Sequence, residues 1–446
     1  MEYFKNTRNP ILPLEHHTPD CEAHVMSDGK LYIYGSYDSH QTVYCSDKYH
    51  VVSTPDMENW TIHEVAFRAD QAHWCKDPNA PKYAGIDWSK PTPFLKKMLS
   101  NMPPDFEKMM QEKKREDSPE FLLFAPDAIE KDGKYYLYFC LNDQSEGVAV
   151  SDRPEGPFGE AKQLMCGGID PAIFMDDDGQ AYYFWGQLFG NGAKLMEDMM
   201  TIDPSTIVEN LITEEEHYFH EGSSMRKRGD TYYLVYCNIE HGKPTSLGYS
   251  TSKSPLGPFT YQGVIIDNDG CDPASWNNHG SIEEFNGQWY VFYHRCSRGV
   301  EYNRRLCIEP IYFNEDGTIN EVKMTSQGLG KPFGPEETIM AYHTCGLTGT
   351  AFLSPLNDTE VLTSISDQDT ATFRYVESTS PFTEAVLEVE GKGTIELLFD
   401  GKPAGVAVAE GNGQTSCKLT ASTGKHELTL RFLKPEDLNL ISLKLV

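Results

Sequence analysis

The chain has 446 residues, 39% of them hydrophobic, which is room for one large domain and a smaller one. Lys and Arg number 38 against 67 Asp and Glu, a formal charge of −29. So acidic a surface repels phosphate backbones and anionic lipid, which argues against nucleic acid and membrane partners. No stretch of 18 apolar residues occurs, and Met1-Glu2-Tyr3-Phe4-Lys5-Asn6 is not an apolar leader, so a cytoplasmic location is expected.

Along the chain one unit recurs five times: an approach strand, a turn containing Gly, and a Tyr-rich strand. The copies begin at Asp20 (DCEAHVMSDGKLYIY), Asp127 (DAIEKDGKYYLYF), Asp170 (DPAIFMDDDGQAYYFW), Glu221 (EGSSMRKRGDTYYLVY) and His279 (HGSIEEFNGQWYVFY). Asp28-Gly29, Asp132-Gly133, Asp178-Gly179 and Asn286-Gly287 are hairpin dipeptides suited to positive φ, and Arg228-Gly229-Asp230 serves the fourth copy. Five like hairpins predict five blades of one β-propeller. A second hairpin after each, as in VAVSDRPEGPF and LGYSTSKSPLGPF, predicts four strands per blade. The first gap, from 20 to 127, is longer than a blade needs. Residues 90–120 read as a charged helical insert, either a solvated decoration or a lid.

The Tyr-rich hairpins stop near residue 340. Short alternating strands follow, such as EAVLEVEG, GTIELLFDG and KHELTLRFL. The predicted fold is therefore all-β: a five-bladed β-propeller over 1–335, then a β-sandwich of jelly-roll type over 345–446. The 11 cysteines are odd in number and lack any CxxC pair, and Cys140, Cys237 and Cys296 sit in apolar strands, as reduced thiols packed in a core would.

Propeller geometry brings the starts of the inner strands to one mouth of a central channel, so Asp20, Asp127, Asp170, Glu221 and His279 are candidates for one site. Glu221 and His279 lie eight residues before their turn Gly and Asp127 six, even offsets that share a face. Asp20 and Asp170 lie nine before, and the longer turns MSDG and DDDG are expected to absorb the odd residue. One such carboxylate alone would be a strand-end residue bonding nearby N–H groups. Four together can divide into an acid and a base, as a glycosidase requires, with roughly 6.5–9.5 Å between the pair when water attacks directly. Glu22 shares the parity of Asp20 and is its rival as base. His16, His17, Cys21 and His24 cluster in sequence but fit no zinc spacing. Trp74, Phe124 and Trp276 are candidates for stacking on sugar or for core packing. No GxSxG or P-loop is present.

These motifs resemble glycoside hydrolase family 43 over roughly residues 8–325: NPILPLEHHTPD, FAPDAIEKDGKYYLYF, IDPAIFMDDDGQAYYFWG, HEGSSMRKRGDTYYLVY, NHGSIEEFNGQWYVFYHR and RRLCIEPIYFNEDGTI. The resemblance implies Asp20 as general base, Glu221 as general acid and Asp127 as the residue that tunes and orients that acid. It implies Arg304 as a contact for sugar and base, with Arg305 the fallback, and His279 beneath the sugar or beside a structural channel Ca2+, no cofactor being needed for the chemistry. Asp170 is expected at the substrate. Cys21 stands where the family often has Pro. The C-terminal part resembles carbohydrate-binding module family 6, but Gly413 replaces the aromatic expected near GNGQTS, which favours a supporting over a sugar-binding role. The implied activity is inverting, exo-acting release of α-L-arabinofuranosyl or β-D-xylosyl units from small oligosaccharides, the arabinofuranosidase ranked first. The alternatives are a non-catalytic glycan-binding propeller, an endo-acting arabinanase or xylanase, or a retaining hydrolase of fructosides.

Overall fold

The computed structural model describes residues 1–40, 42–83, 85, 91–100 and 119–446. Five antiparallel sheets succeed one another, and each innermost strand packs against the next until the fifth meets the first, which closes a five-bladed β-propeller. Blade one comprises Glu22–Val25, Leu31–Tyr34, Lys48–Thr54 and Asn59–Arg68, with Glu2–Lys5 added outside. Blade two comprises Leu123–Lys131, Lys134–Leu141, Ser145–Ser151 and Gly159–Gly167. Blade three comprises Ala172–Met175, Ala181–Trp185, Phe189–Lys194 and Val208–Thr213. Blade four comprises Phe219–Arg228, Thr231–Asn238, Ser246–Ser252 and Thr260–Asp267.

Blade five departs from the predicted four strands. It has Ser281–Phe285, Gln288–Ser297 and Val300–Ile311, and the start of the chain covers its outer edge. Ile11 N–H bonds the Leu306 carbonyl at 3.0 Å, and the Asn9 side chain bonds both the N–H and the carbonyl of Ile308. A parallel bridge between Cys21 and Gly280 joins the first and last inner strands. An exposed edge is thereby satisfied without a fourth strand.

Turn chemistry sets the register. In blade two Asp132 and Gly133 (φ 53° and 74°) form the whole connection between the paired Lys131 and Lys134, and Asn286-Gly287 does the same in blade five. Blades one and three instead take five residues between their last pairs, Val25 with Leu31 and Met175 with Ala181. Of the insert predicted at 90–120, Pro93–Ser100 is an α-helix, and residues 101–118 lie outside the described residues.

The C-terminal strands are not all short. Thr370–Phe399 and Gly413–Leu445 are long, bulged strands that fold back on each other, so that Val386 pairs with both Ser416 and Lys444. The result is a nearly closed sandwich around Phe373, Leu387, Leu397, Leu430 and Phe432. It docks on blade five, where Glu360 accepts ion pairs from Arg298 (2.7 Å) and Arg305.

All 11 cysteines are free. Among the described residues no helix is long and apolar enough to cross a membrane.

Glu146, buried between blades two and three, accepts the Tyr183 hydroxyl at 2.5 Å and the Cys166 thiol at 3.2 Å, and its Oε1 has no partner. Burial pushes its carboxyl from an ordinary 4.5 up to about 8. The folded chain therefore keeps a proton that the unfolded chain releases. The associated stability is complete below the unfolded value and is lost as pH rises through the folded one. Tm is expected to fall between about pH 5 and pH 8.5, and Glu146→Gln, which cannot ionise, should flatten that fall. Calorimetry across that range checks this; an unchanged slope in the variant would contradict it.

Candidate active site

A pocket of about 210 Å³ lies at the channel mouth, and Asp20, Phe124, Asp170, Glu221, Trp276, His279 and Arg304 all line it. Residues from blades one to five, distant in sequence, thus meet around one cavity. Asp20 and Asp170 each stand two residues before an inner strand, in left-handed backbone (φ 58° and 56°), a conformation that Asp tolerates better than most residues. The odd offset is thus absorbed at the carboxylate as well as in the turn. Glu221 sits between two register shifts in its strand, next to Gly222 at φ 72°, where a Cβ would come within 2.8 Å of the His279 ring.

The Asp20 carboxylate is the most firmly held. Burial alone would raise it, but the Arg304 guanidinium above all, with a hydrogen bond from Ser36, holds it below the usual carboxylate range. Arg304 Nη1 donates to Asp20 Oδ1 at 2.8 Å. The same guanidinium is gripped in fork fashion by buried Asp38, at 2.9 Å from Nε and 3.0 Å from Nη2, and faces the Tyr44 ring at 4.8 Å. His294 Nδ1 accepts the Asp20 N–H at 3.4 Å while Nε2 donates to the Asn277 carbonyl at 2.9 Å, a neutral tautomer. Burial, then Arg304, lowers His294 to about 3, in keeping with that state.

Asp170 is opposite in character. Burial and then the charges of Glu221 and Asp20 push its carboxyl well above the ordinary range. Glu221 Oε2 accepts the Gln187 amide at 2.5 Å, and His220 Nε2 lies 3.8 Å from the same oxygen. Asp20, held below the usual carboxylate range, and Asp170, pushed above it, thus line one small cavity together with Glu221, and carboxylates driven apart in this way are what acid–base hydrolysis of an acetal needs.

Asp127 departs from its expected place, Trp74 takes the packing alternative, and the alternatives Glu22 and Arg305 fall outside the pocket. Asp127 does not line the pocket. It is fully buried further along its strand, bonded to His24 Nε2 (2.6 Å) and to the Ala128 and Ile173 N–H groups. It lies six residues before its turn Gly, whereas Glu221 and His279, behind turns of the same two-residue length, lie eight, so it sits deeper along its strand, and Phe124 lines the pocket from blade two. Glu22, the rival base, is also below the pocket, bonded to Ser224 (3.0 Å) and Arg226 (3.3 Å). Arg305 serves Glu360 rather than the pocket. Trp74 stacks on Phe139 with centroids 5.9 Å apart and donates to Ser145, outside the pocket lining. Asp38, Tyr44, Gln187, His220 and His294 carried no repeat signal and were legible only in three dimensions.

His16, His17, Cys21 and His24 do not converge; His16 bonds Glu2 and His24 bonds Asp127. Glu22, His24 and Asp127 bring one ligand atom each within 4.8 Å, but the His24–Asp127 bond and the Arg226–Glu22 ion pair already balance that group. His279 differs. Its Nδ1 is 3.6 Å from Asp170 and 3.9 Å from Asp20, its Nε2 is buried with no partner, and burial lowers its pKa. A neutral imidazole nitrogen with an unused lone pair fits a channel cation.

A sequence profile for glycosyl hydrolases family 43 matches residues 99–319. The chain is 32% identical over 390 residues to a xylosidase/arabinosidase of Thermoclostridium stercorarium, spanning 77% of this chain and 72% of that protein. A solved family 43 β-xylosidase/α-arabinofuranosidase from a compost microbial metagenome, in complex with xylotriose and calcium-free, is 28% identical. It covers 72% of this chain and 98% of its own, with a TM-score of 0.53. An arabinoxylan arabinofuranohydrolase from Bacillus subtilis, in complex with cellotetraose, covers 98% of this chain and 97% of its own (TM-score 0.52), a likeness of fold at 22% identity.

Proposed function

The chain belongs to glycosyl hydrolases family 43, and on that premise we propose that it releases terminal α-L-arabinofuranosyl or β-D-xylosyl units from xylan- or arabinan-derived oligosaccharides with inversion. It is a glycoside hydrolase. The observation that carries the finer reading is the pairing of an ionised Asp20, fixed by Arg304, with Glu221 across a pocket of about 210 Å³, room for about one pentose. A pocket of that size favours exo action.

In this reading Asp20 takes a proton from a water on one face of the sugar as that water attacks the anomeric carbon. Glu221 gives a proton to the leaving oxygen on the other face. Gln187 occupies Glu221 Oε2, so the transferred proton sits on Oε1. Asp170, and not Asp127, is the third carboxylate: it lines the pocket, and burial and the charge of Glu221 push it above the ordinary range. Arg304 holds Asp20 ionised and aimed. Were a calcium ion bound in the channel, His279 Nε2 would be one of its ligands, with water oxygens needed for the rest, and it would supply positive charge there; proton transfer to Asp20 does not pass through it. The C-terminal sandwich acts as a brace, with Glu360 neutralising Arg305 on the strand that carries Arg304 and Arg298 in the turn before it.

The test is turnover of aryl α-L-arabinofuranoside and aryl β-D-xyloside in parallel. Hydrolysis of at least one is expected, and of both if the pocket admits either pentose. Hydrolysis of neither, with the chain folded, would end this reading in favour of a glycan-binding propeller.

A further inference from the structure

Blade five carries an arginine pair that the active site does not use. Its strands Gln288–Ser297 and Val300–Ile311 run antiparallel, and their register sets Arg295 directly opposite Arg305. Both are buried, 5% and 3% exposed. Like charges directly opposite on a sheet repel, and burial removes the water that would screen them.

Their partners use only part of their donors. Arg295 spends Nε and Nη2 on the Tyr293 hydroxyl, Glu309 and the Thr325 carbonyl, while its Nη1 reaches only the Thr344 carbonyl, at 3.5 Å. Arg305 spends Nη2 on Glu360 and the Leu14 carbonyl. Its Nε and Nη1 are buried with no partner among the described residues. A charged donor left unpaired in the interior is costly.

Both guanidinium groups line a cavity of about 20 Å³ at the seam between blade five and the C-terminal sandwich, closed on the other side by Tyr342, Thr344 and Leu353. That volume holds one body of about the size of water, too little for phosphate, sulfate or a carboxylate ligand. No carboxylate among the described residues lines it. Buried Asp272, outside the lining, gives its two oxygens to the Ala274 and Gly299 N–H groups. The lining thiols supply no negative charge, because burial raises Cys271 and Cys307 to about 12 and Cys296 well above its ordinary value. A water in this place accepts an N–H but leaves the two cations facing each other.

We propose that the cavity binds one monatomic anion of chloride size between Arg295 and Arg305. The anion offsets their repulsion and ties the sandwich to the strand that carries Arg304.

The test is thermal unfolding of the full chain at constant ionic strength, with sodium chloride exchanged for sodium gluconate, whose anion is too large for the cavity. Tm should rise by about 3 °C between about 1 mM and about 300 mM chloride, along a saturating curve, and bromide should replace chloride. Arg305→Met, which removes the unpaired donors and leaves Glu360 its pair with Arg298 at 2.7 Å, should lose that dependence. Crystals of the wild type grown in bromide fix the place, with an anomalous peak expected between the two guanidinium groups. If Arg305→Met does not fold, the wild-type crystals carry the decision alone. Equal Tm in chloride and gluconate, bromide at exposed positions only, or a water alone in the cavity would overturn the proposal.

Discussion

Replacing Asp20 by Asn is expected to lower kcat by about 10³-fold or more on aryl glycosides and oligosaccharides alike, with the fold intact. The amide keeps the size of the carboxylate but cannot take a proton from water. It also removes the negative charge that faces Arg304 Nη1 at 2.8 Å. Arg304 remains gripped by Asp38 at 2.9 and 3.0 Å, so the guanidinium does not become an unpaired buried charge and stability should change little. The loss should be independent of leaving group, because the base acts on water in every case. Steady-state kinetics on an aryl glycoside and an oligosaccharide, with a Tm for each protein, check this. Activity within tenfold of wild type would move the base elsewhere, and Glu22 is no ready substitute, since it lies under the pocket in the hands of Ser224 and Arg226.

Glu221→Gln should behave differently. A general acid matters in proportion to how poorly the leaving group departs unaided. The loss is expected to be about 10³-fold on an oligosaccharide, whose leaving alkoxide needs a proton, and only about tenfold on a dinitrophenyl glycoside, whose phenolate does not. The Oε1 of Gln can still accept the Gln187 amide N–H, so the pocket keeps its shape. A Brønsted plot of kcat against leaving-group pKa, steep in the variant and shallow in the wild type, is the expected signature. Equal losses across leaving groups would remove Glu221 from the acid role.

The sequence made the architecture legible because each blade repeats the same local chemistry. Asp-Gly and Asn-Gly turns between alternating Tyr-rich strands set hairpins that need no long-range information, and the loss of that pattern near residue 340 marks where the propeller gives way to the sandwich. Side-chain depth was less legible, because it depends on how many residues each turn consumes. Counting back to the turn Gly grouped Asp127 with Glu221 and His279 by its even offset, but those two lie eight residues out and Asp127 only six, so it sits deeper than either. Blade five was over-counted for another reason: its missing edge is supplied by Asn9 and Ile11, nearly three hundred residues away, a pairing no local pattern encodes. Asp38, His294 and Gln187 lie outside the repeat starts and acquire meaning only through what they touch, Arg304, the Asp20 backbone and Glu221.

The most direct measurement is the configuration of the first sugar released, followed by proton NMR from the start of hydrolysis of an aryl glycoside. Water delivered by Asp20 opposite to Glu221 produces the anomer inverted from the substrate, and mutarotation then brings in the other. Appearance of the retained anomer first would mean that a carboxylate attacks the sugar itself, and the division of roles between Asp20 and Glu221 would be wrong.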